Sequence, residues 1–409
     1  MSNQILWGVV RYALFLFSLA SCSCITSEVG AQESVVVGAA RFEVYEPWLK
    51  GKRVGVVCNH TARVGERLLF DTLRARGVDV VRLFTPEHGL EGMADAGERV
   101  QSVASQAHLP EVVSLYDHNK RPPLEKVQDL DIILFDLQDV GVRCYTYIST
   151  LQYVMEACAQ AKKQLVVLDR PNPNGHFVDG PLLGLKYKSF VGMHPVPWIH
   201  GMTIGEFARM IVGEGWLPGG AKLKLEVVPC LNYTHATAYI PPIPPSPNLP
   251  NYRAILLYPS LAFFEGTTQS VGRGTDHPFQ CVGSPKNPPA GGQNVAKDPR
   301  WFSFVPEARL GAKKPPYKGQ TCYGLDLSSL RTDSLYRRAK IDLTYLQTML
   351  RFAQGTFFIK FFDQLAGTPQ LRTDIQAGKS ETEIRASWQP ALTAFQKMRK
   401  KYLLYPDFE

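Results

Sequence analysis

The sequence is poor in the signatures by which an activity is usually read. It has no CxxC pair and no Cys/His cluster at zinc spacing, so no metal is expected. It has no G-x-S-x-G elbow, no P-loop and no HExxH helix, which argues against the common serine-hydrolase, phosphate-loop and zinc-protease chemistries. Its glycine-rich "SVGRGTDHP" is not G-x-G-x-x-G, so no dinucleotide or other cofactor is expected. Beyond the first twenty or so positions, no apolar run approaches the roughly 18 residues of a membrane span. No repeat of solenoid period is present. The formal charge is +8, with its densest basic run at "KMRKKY", Lys397 to Tyr402. No nucleic-acid-binding signature accompanies it, so nucleic acid is not the expected partner. An anionic surface or substrate is the better use of the charge, and a solvated helix end is the plainer reading of that run.

What is present is a globular composition, 45% hydrophobic and 20% charged over 409 residues. That length fits two domains, with one or three also allowed. Ile5 to Ala20 is almost wholly apolar and fits a secretory leader. "LASC", Leu19 to Cys22, reads as a lipobox that would leave Cys22 lipidated. "VGA", Val29 to Ala31, offers an ordinary cleavage site as the second reading, and an uncleaved anchor helix is the third. An exported protein, periplasmic or tethered to the outer membrane or cell surface, is the expectation. The six later cysteines are scattered in apolar surroundings, where a free thiol behaves as a small hydrophobe. Export would permit disulfides, but spacing does not pair them.

From Lys52 onward, apolar runs alternate with helical periodicity. "RVGVVCNH", "VDVVRLF", "PEVVSLY", "LDIILFDLQDVG", "KQLVVLDRPNPNG" and "KLKLEVVPC" read as strands. "RLLFDTLRARG", "TYISTLQYVMEACAQAK" and "TIGEFARMIVGEG" read as helices, the last with a capping box from Thr203 and Glu206. Near-continuous apolar strands alternating with helices predict a parallel sheet covered on both faces, an α/β Rossmann-like domain. Residues 1–31 form the leader, 34–230 this domain, and 231–409 a smaller α+β domain, with a cleft between the two domains. The proline-rich "AYIPPIPPSPNLPNY" reads as a rigid crossing segment between them. The C-terminal part ends in a helix opened by Ser380 and Glu383, which Pro390 should break or restart.

In such sheets the functional crevice lies beyond the carboxyl ends of the strands. Those ends carry Asn59 and His60; Glu87 and His88; Asp136, Gln138, Asp139 and Arg143; and Asp169, Arg170 and Asn172. Glu87, in "LFTPEHGLEG", is the first candidate for general acid/base. Acid catalysis at a leaving oxygen needs a carboxyl that keeps its proton near neutrality, which partial burial favours. A capping or salt-bridging Glu is the ordinary alternative. His88 either orients Glu87 or bonds to backbone. Asp136 and Asp139 are candidates for a second carboxylate, against a role in holding the loop or pairing with Arg143. Asp169 and Arg170 either contact substrate or pin each other. Arg143, Arg170 and Arg273 could each grip a substrate carboxylate bidentately. Asn59, Asn172, Glu265, His200 and Tyr145 complete the candidate substrate-binding set. His200 also suits helix capping, and Tyr145, Tyr147 and Trp198 also suit the core.

Taken together, "FTPEHGLEG", "LFDLQDVGVRCYTYISTL", "VLDRPNPNG", "HGMTIGEFA", "PPSPNLP" and "EGTTQSVGRGTDHPF" resemble the bacterial exo-β-N-acetylmuramidase family. "YKGQTCYGLDL" and "IRASWQPALTAFQKMRKKYLLY" extend the resemblance over residues 40–405. It implies a Rossmann-like domain and a smaller C-terminal domain with a cleft between them. It also implies hydrolysis of terminal β-1,4-linked N-acetylmuramic acid from the non-reducing end of peptidoglycan fragments. The proposed acid of the family's "PEHG" motif falls on Glu87. The chain departs from the family pattern at Thr268, where members often carry Asn, and at Val271, where they sometimes carry Glu.

Overall fold

The structure is a computed structural model that describes residues 33–104, 109–116, 120–289 and 298–408. The leader and Cys22 lie outside the described residues. Residues 35–409 form one compact unit.

The central sheet uses β1 (Arg53–Cys58), β4 (Asp79–Thr85), β5 (Glu111–Ser114), β6 (Ile132–Asp136), β7 (Gln164–Leu168) and β8 (Lys224–Val228). A small hairpin, β2 (Arg63–Val64) with β3 (Arg67–Leu68), stands apart. The order across the sheet is β5-β4-β1-β6-β7-β8, and every pairing is parallel. Renumbered along the chain, this is the 3-2-1-4-5-6 order of doubly wound nucleotide-binding folds, whose direction of winding reverses beside the first strand. The predicted Rossmann-like sheet is therefore present.

The strands read as continuous apolar runs because alternate residues serve opposite layers. Val57, Phe84, Ile133, Phe135, Leu165 and Val167 face one core. It is covered by α4 (Tyr147–Ala161), α5 (Ile204–Gly213) and C-terminal elements. Val54, Val56, Leu83, Ile132, Leu134, Val166 and Leu168 face the other. That layer is covered by α1 (Phe42–Leu49) and α2 (Leu69–Ala75). A short α3 (Glu125–Gln128) precedes β6. The Thr203–Glu206 capping box at α5 forms as predicted.

The C-terminal part has an antiparallel sheet of β9 (Cys281–Ser284), β10 (Trp301–Phe304) and β11 (Cys322–Asp326), in the order β10-β11-β9. Around it lie α6 (Tyr252–Leu261), α7 (Thr332–Arg338), α8 (Thr344–Phe352), α9 (Phe361–Ala366), α10 (Gln370–Gln376) and α11 (Glu381–Arg399). The Ser380–Glu383 box caps α11. Pro390 does not break this helix, contrary to expectation. Pro390 is exposed, while Ile384, Trp388, Leu392 and Phe395 are buried on the core side. The carbonyl that loses its N–H partner therefore faces the solvent side, and packing of the opposite face holds the helix together.

The last turn of α11 docks back on the Rossmann side. Arg399 Nε and Nη2 donate to the Gly201 carbonyl at 3.0 and 2.6 Å, and Tyr405 Oη donates to Asp169 Oδ2 at 2.6 Å. All six later cysteines are free and buried. Among the described residues no helix is long and apolar enough to cross a membrane.

Candidate active site

At the carboxyl end of β4 the chain turns through Pro86, Glu87 and His88, with His88 at φ 73°. A left-handed φ on a side chain of this size costs about 1–2 kcal/mol and marks a segment held by its surroundings. His88 Nδ1 lies 2.6 Å from the Ala94 carbonyl. A carbonyl only accepts, so Nδ1 carries the proton. Burial lowers the His88 pKa, which leaves Nε2 bare. Nε2 then accepts the Ser246 hydroxyl at 3.3 Å.

Glu87 is fixed by two donors. The Gly97 N–H gives 2.9 Å to Oε1, and Thr146 Oγ1, just before α4, gives 2.7 Å to Oε2. Gly97 sits at φ 78°, where an L side chain would be strained, and its N–H reaches Oε1 from that turn. The Glu87 residue is 9% exposed and lines a cavity of about 360 Å3. Tyr116, Thr146, Tyr145, Tyr147, Ser246 and Asn248 share its wall, and Glu265 and Arg273 come from the C-terminal part. Arg273 Nη2 donates to Glu265 Oε1 at 2.6 Å, and its guanidinium lies over the Phe279 ring. Tyr147 Oη accepts from Asn59 Nδ2 at 2.9 Å, and Tyr145 Oη donates to the Pro245 carbonyl at 2.8 Å.

Among the sequence candidates, Glu87, His88, Tyr145, Glu265 and Arg273 meet at this cavity, and Asn59 stands one hydrogen bond behind it. The other strand-end groups do not line it. Asp136 is fully buried, and Arg170 Nε and Nη2 hold its two oxygens at 2.5 and 2.9 Å. Burial pushes the Asp136 carboxyl up, and the guanidinium opposes that rise. Asp139 is 5% exposed; its Oδ2 accepts the Gly141 N–H at 2.6 Å, and among the described residues its Oδ1 meets no hydrogen-bond partner. Burial raises it to about 7. A Cβ on Gly141 would meet the Asn172 amide, so glycine is required there. Asn172 Nδ2 donates to the Met202 carbonyl.

Asp169 accepts from Thr203 Oγ1, the Gly205 N–H and Tyr405 Oη, and burial raises it to about 6. Asp169 and Arg170 thus do not pin each other by their side chains. Arg143 is fully buried and donates to the carbonyls of Pro181, Val196, Leu365 and Ala366. A side chain that ties together three backbone segments is not free to grip a ligand. His200 is fully buried, and its Nδ1 accepts the Met202 N–H; burial lowers it to about 3. Trp198 is a core residue, stacked on Phe263 at 4.0 Å.

A larger crevice of about 720 Å3 opens elsewhere, lined by Thr61, Arg63, Arg170, Tyr239 and Ile243 among others. Its one strand-end cation, Arg170, is committed to Asp136, so the smaller cavity holds the reactive groups. Among the described residues no group of three or more His, Cys, Asp or Glu is placed to hold a metal ion.

Several wall residues escaped the sequence reading. Tyr116 lies just past the end of β5, where the same strand-end rule would have found it. Ser246 and Asn248 sit in the proline-rich stretch. That stretch packs into the site, with the Pro244 carbonyl bound by His60 Nε2 at 2.8 Å. Thr268 and Val271, where the chain departs from the family pattern, do not line the cavity.

The comparisons agree with this architecture. The N-terminal domain of the exo-beta-N-acetylmuramidase NamZ family matches residues 54–253, and its C-terminal domain matches 256–405. The peptidoglycan beta-N-acetylmuramidase NamZ of Bacillus subtilis is 35% identical over 378 residues, 88% of this chain and 89% of that protein. A crystal structure of a DUF1343 family protein from Bacteroides fragilis superposes with a TM-score of 0.82 at 42% identity, covering 92% of this chain and 100% of that one. A second from the same organism gives 0.72 at 27% identity, over 91% and 99%.

Proposed function

Because the chain belongs to the exo-β-N-acetylmuramidase NamZ family, we propose that it is a glycoside hydrolase releasing terminal N-acetylmuramic acid from peptidoglycan fragments. One observation carries the assignment of its centre. Glu87 presents a carboxyl, oriented by Gly97 and Thr146, to a cavity within the roughly 300–1,000 Å3 of small-molecule sites. In this reading Glu87 protonates the glycosidic oxygen as the bond to C1 breaks, so the leaving sugar departs as a neutral alcohol. Among the described residues Glu265 is the other carboxylate on the wall, already bonded to Arg273. Glycosidases complete the reaction with a second carboxylate or with the acetamido group of the substrate. The buried pairing of Asp136 and the position of Asp139 favour neither for that task.

The leader supports export, which would bring the protein to its polymer, and Cys22 is the proposed point of lipid attachment. Palmitate labelling of the full chain beside Cys22→Ala tests that attachment; label retained by the variant would refute it.

The reaction is tested by incubating the mature protein with chromogenic β-N-acetylmuraminide and β-N-acetylglucosaminide. Release from the muraminide alone is expected. Release from the glucosaminide alone would assign a different amino-sugar specificity. No release from either, with muropeptide binding retained, would make the protein a binding module.

A further inference from the structure

N-acetylmuramic acid differs from N-acetylglucosamine by its lactyl ether, which carries a carboxylate. A site that selects it needs a cation not already neutralised. Arg143 and Arg170 fail this test, since buried carbonyls hold one and Asp136 holds the other. Arg273 lines the cavity but is paired with Glu265.

Lys120 differs. Its ammonium lies 4.4 Å from the Tyr116 ring centroid and 4.0 Å from that of Phe190. Tyr116 lines the cavity, as does Val191 next to Phe190. The two rings are 5.9 Å apart and inclined at 50°, so they form a cleft that holds the ammonium. A cation over two aromatic faces is held without being neutralised. Among the described residues no carboxylate lies within ion-pair distance of it. The Glu87 charge acts on both Tyr116 and Lys120, and Tyr116 and Glu87 share the cavity wall. Burial weakens the ammonium's hold on its proton, so a ligand carboxylate would supply a charge partner that the described residues do not.

We propose that Lys120, held between Tyr116 and Phe190, recognises the lactyl carboxylate and thereby sets the preference for N-acetylmuramic acid over N-acetylglucosamine. This rests on the reading that the cavity takes a terminal N-acetylmuramic acid.

The test measures binding, so it needs no turnover and is separable from the hydrolysis assay. Affinities for free N-acetylmuramic acid, its neutral lactyl carboxamide and N-acetylglucosamine are measured by calorimetry on the wild type, Lys120→Met and Lys120→Arg. Thermal melts verify folding. The wild type is expected to bind the acid about ten- to a hundredfold more tightly than the carboxamide, the range for a hydrogen bond to a charged group. Lys120→Met should lose that factor for the acid alone, and Lys120→Arg should keep most of it. A preference that survives in Lys120→Met, an equal loss for acid and carboxamide, or a wild type without preference would each overturn the proposal.

Discussion

Two neighbouring ends of one parallel sheet carry the same kinds of side chain and use them differently. Beyond β4, Glu87 accepts a backbone N–H and a hydroxyl, and it looks into a cavity. Beyond β6 and β7, Asp136 is closed by Arg170, and Asp169 by Thr203, Gly205 and Tyr405. A carboxylate whose oxygens are fully engaged by the protein fixes geometry. One that keeps acceptor capacity toward an open space can do chemistry. The lesson is that position at a strand end nominates a residue, and its partners decide its role.

The sharpest way to break this contrast is to remove one acid from each region. Glu87→Gln should cut muraminide hydrolysis by about a hundred- to ten-thousandfold. Its melting temperature should stay within a few degrees of wild type, because the amide still accepts at one oxygen. Equal activity in the variant would move the acid elsewhere. Asp136→Ala should do the reverse. It leaves the Arg170 guanidinium buried without its partner, at a cost of about 3–5 kcal/mol in denaturant titrations. Its residual activity per folded molecule should remain near that of wild type.

Asp139 sharpens the comparison through pH. Burial raises its carboxyl from 3.8 to about 7, so folding takes up a proton between those values. Its stabilising share is complete below about pH 4 and is lost as pH rises through 7. Asp139→Asn cannot ionise, so its stability relative to wild type should climb across that window, by at most about 1.4 kcal/mol per pH unit. Parallel denaturation curves at each pH would contradict this. The smallest expected effect is that of Thr146→Val. Loss of one hydroxyl bond to Glu87 should lower kcat about tenfold with little change in KM or melting temperature.

The parallel sheet was legible because apolar runs of strand length alternate with helical periods, and the capping boxes at α5 and α11 were legible from four-residue patterns. Glu87 was legible as a group delivered by a strand. The burial of its rivals was not. Asp136 meets Arg170 across 34 residues of chain, and Asp169 meets Tyr405 across 236. Such pairings are set by packing, which leaves no local trace. The part that the proline-rich crossing segment plays in the site was missed for a related reason. Proline fixes the backbone wherever it lies, but its composition does not say what it lies against, and here it walls the cavity through Ser246 and Asn248. Pro390 shows the same limit, since a local breaker yields to a buried helical face.

The most direct test is a crystal structure of the Glu87→Gln variant soaked with a saccharide ending in N-acetylmuramic acid. The account predicts the terminal sugar in the cavity walled by Tyr116, Tyr147 and Arg273, with its glycosidic oxygen in hydrogen-bond reach of the side chain at position 87. A sugar seated instead in the larger crevice beside Arg170 and Tyr239 would contradict it.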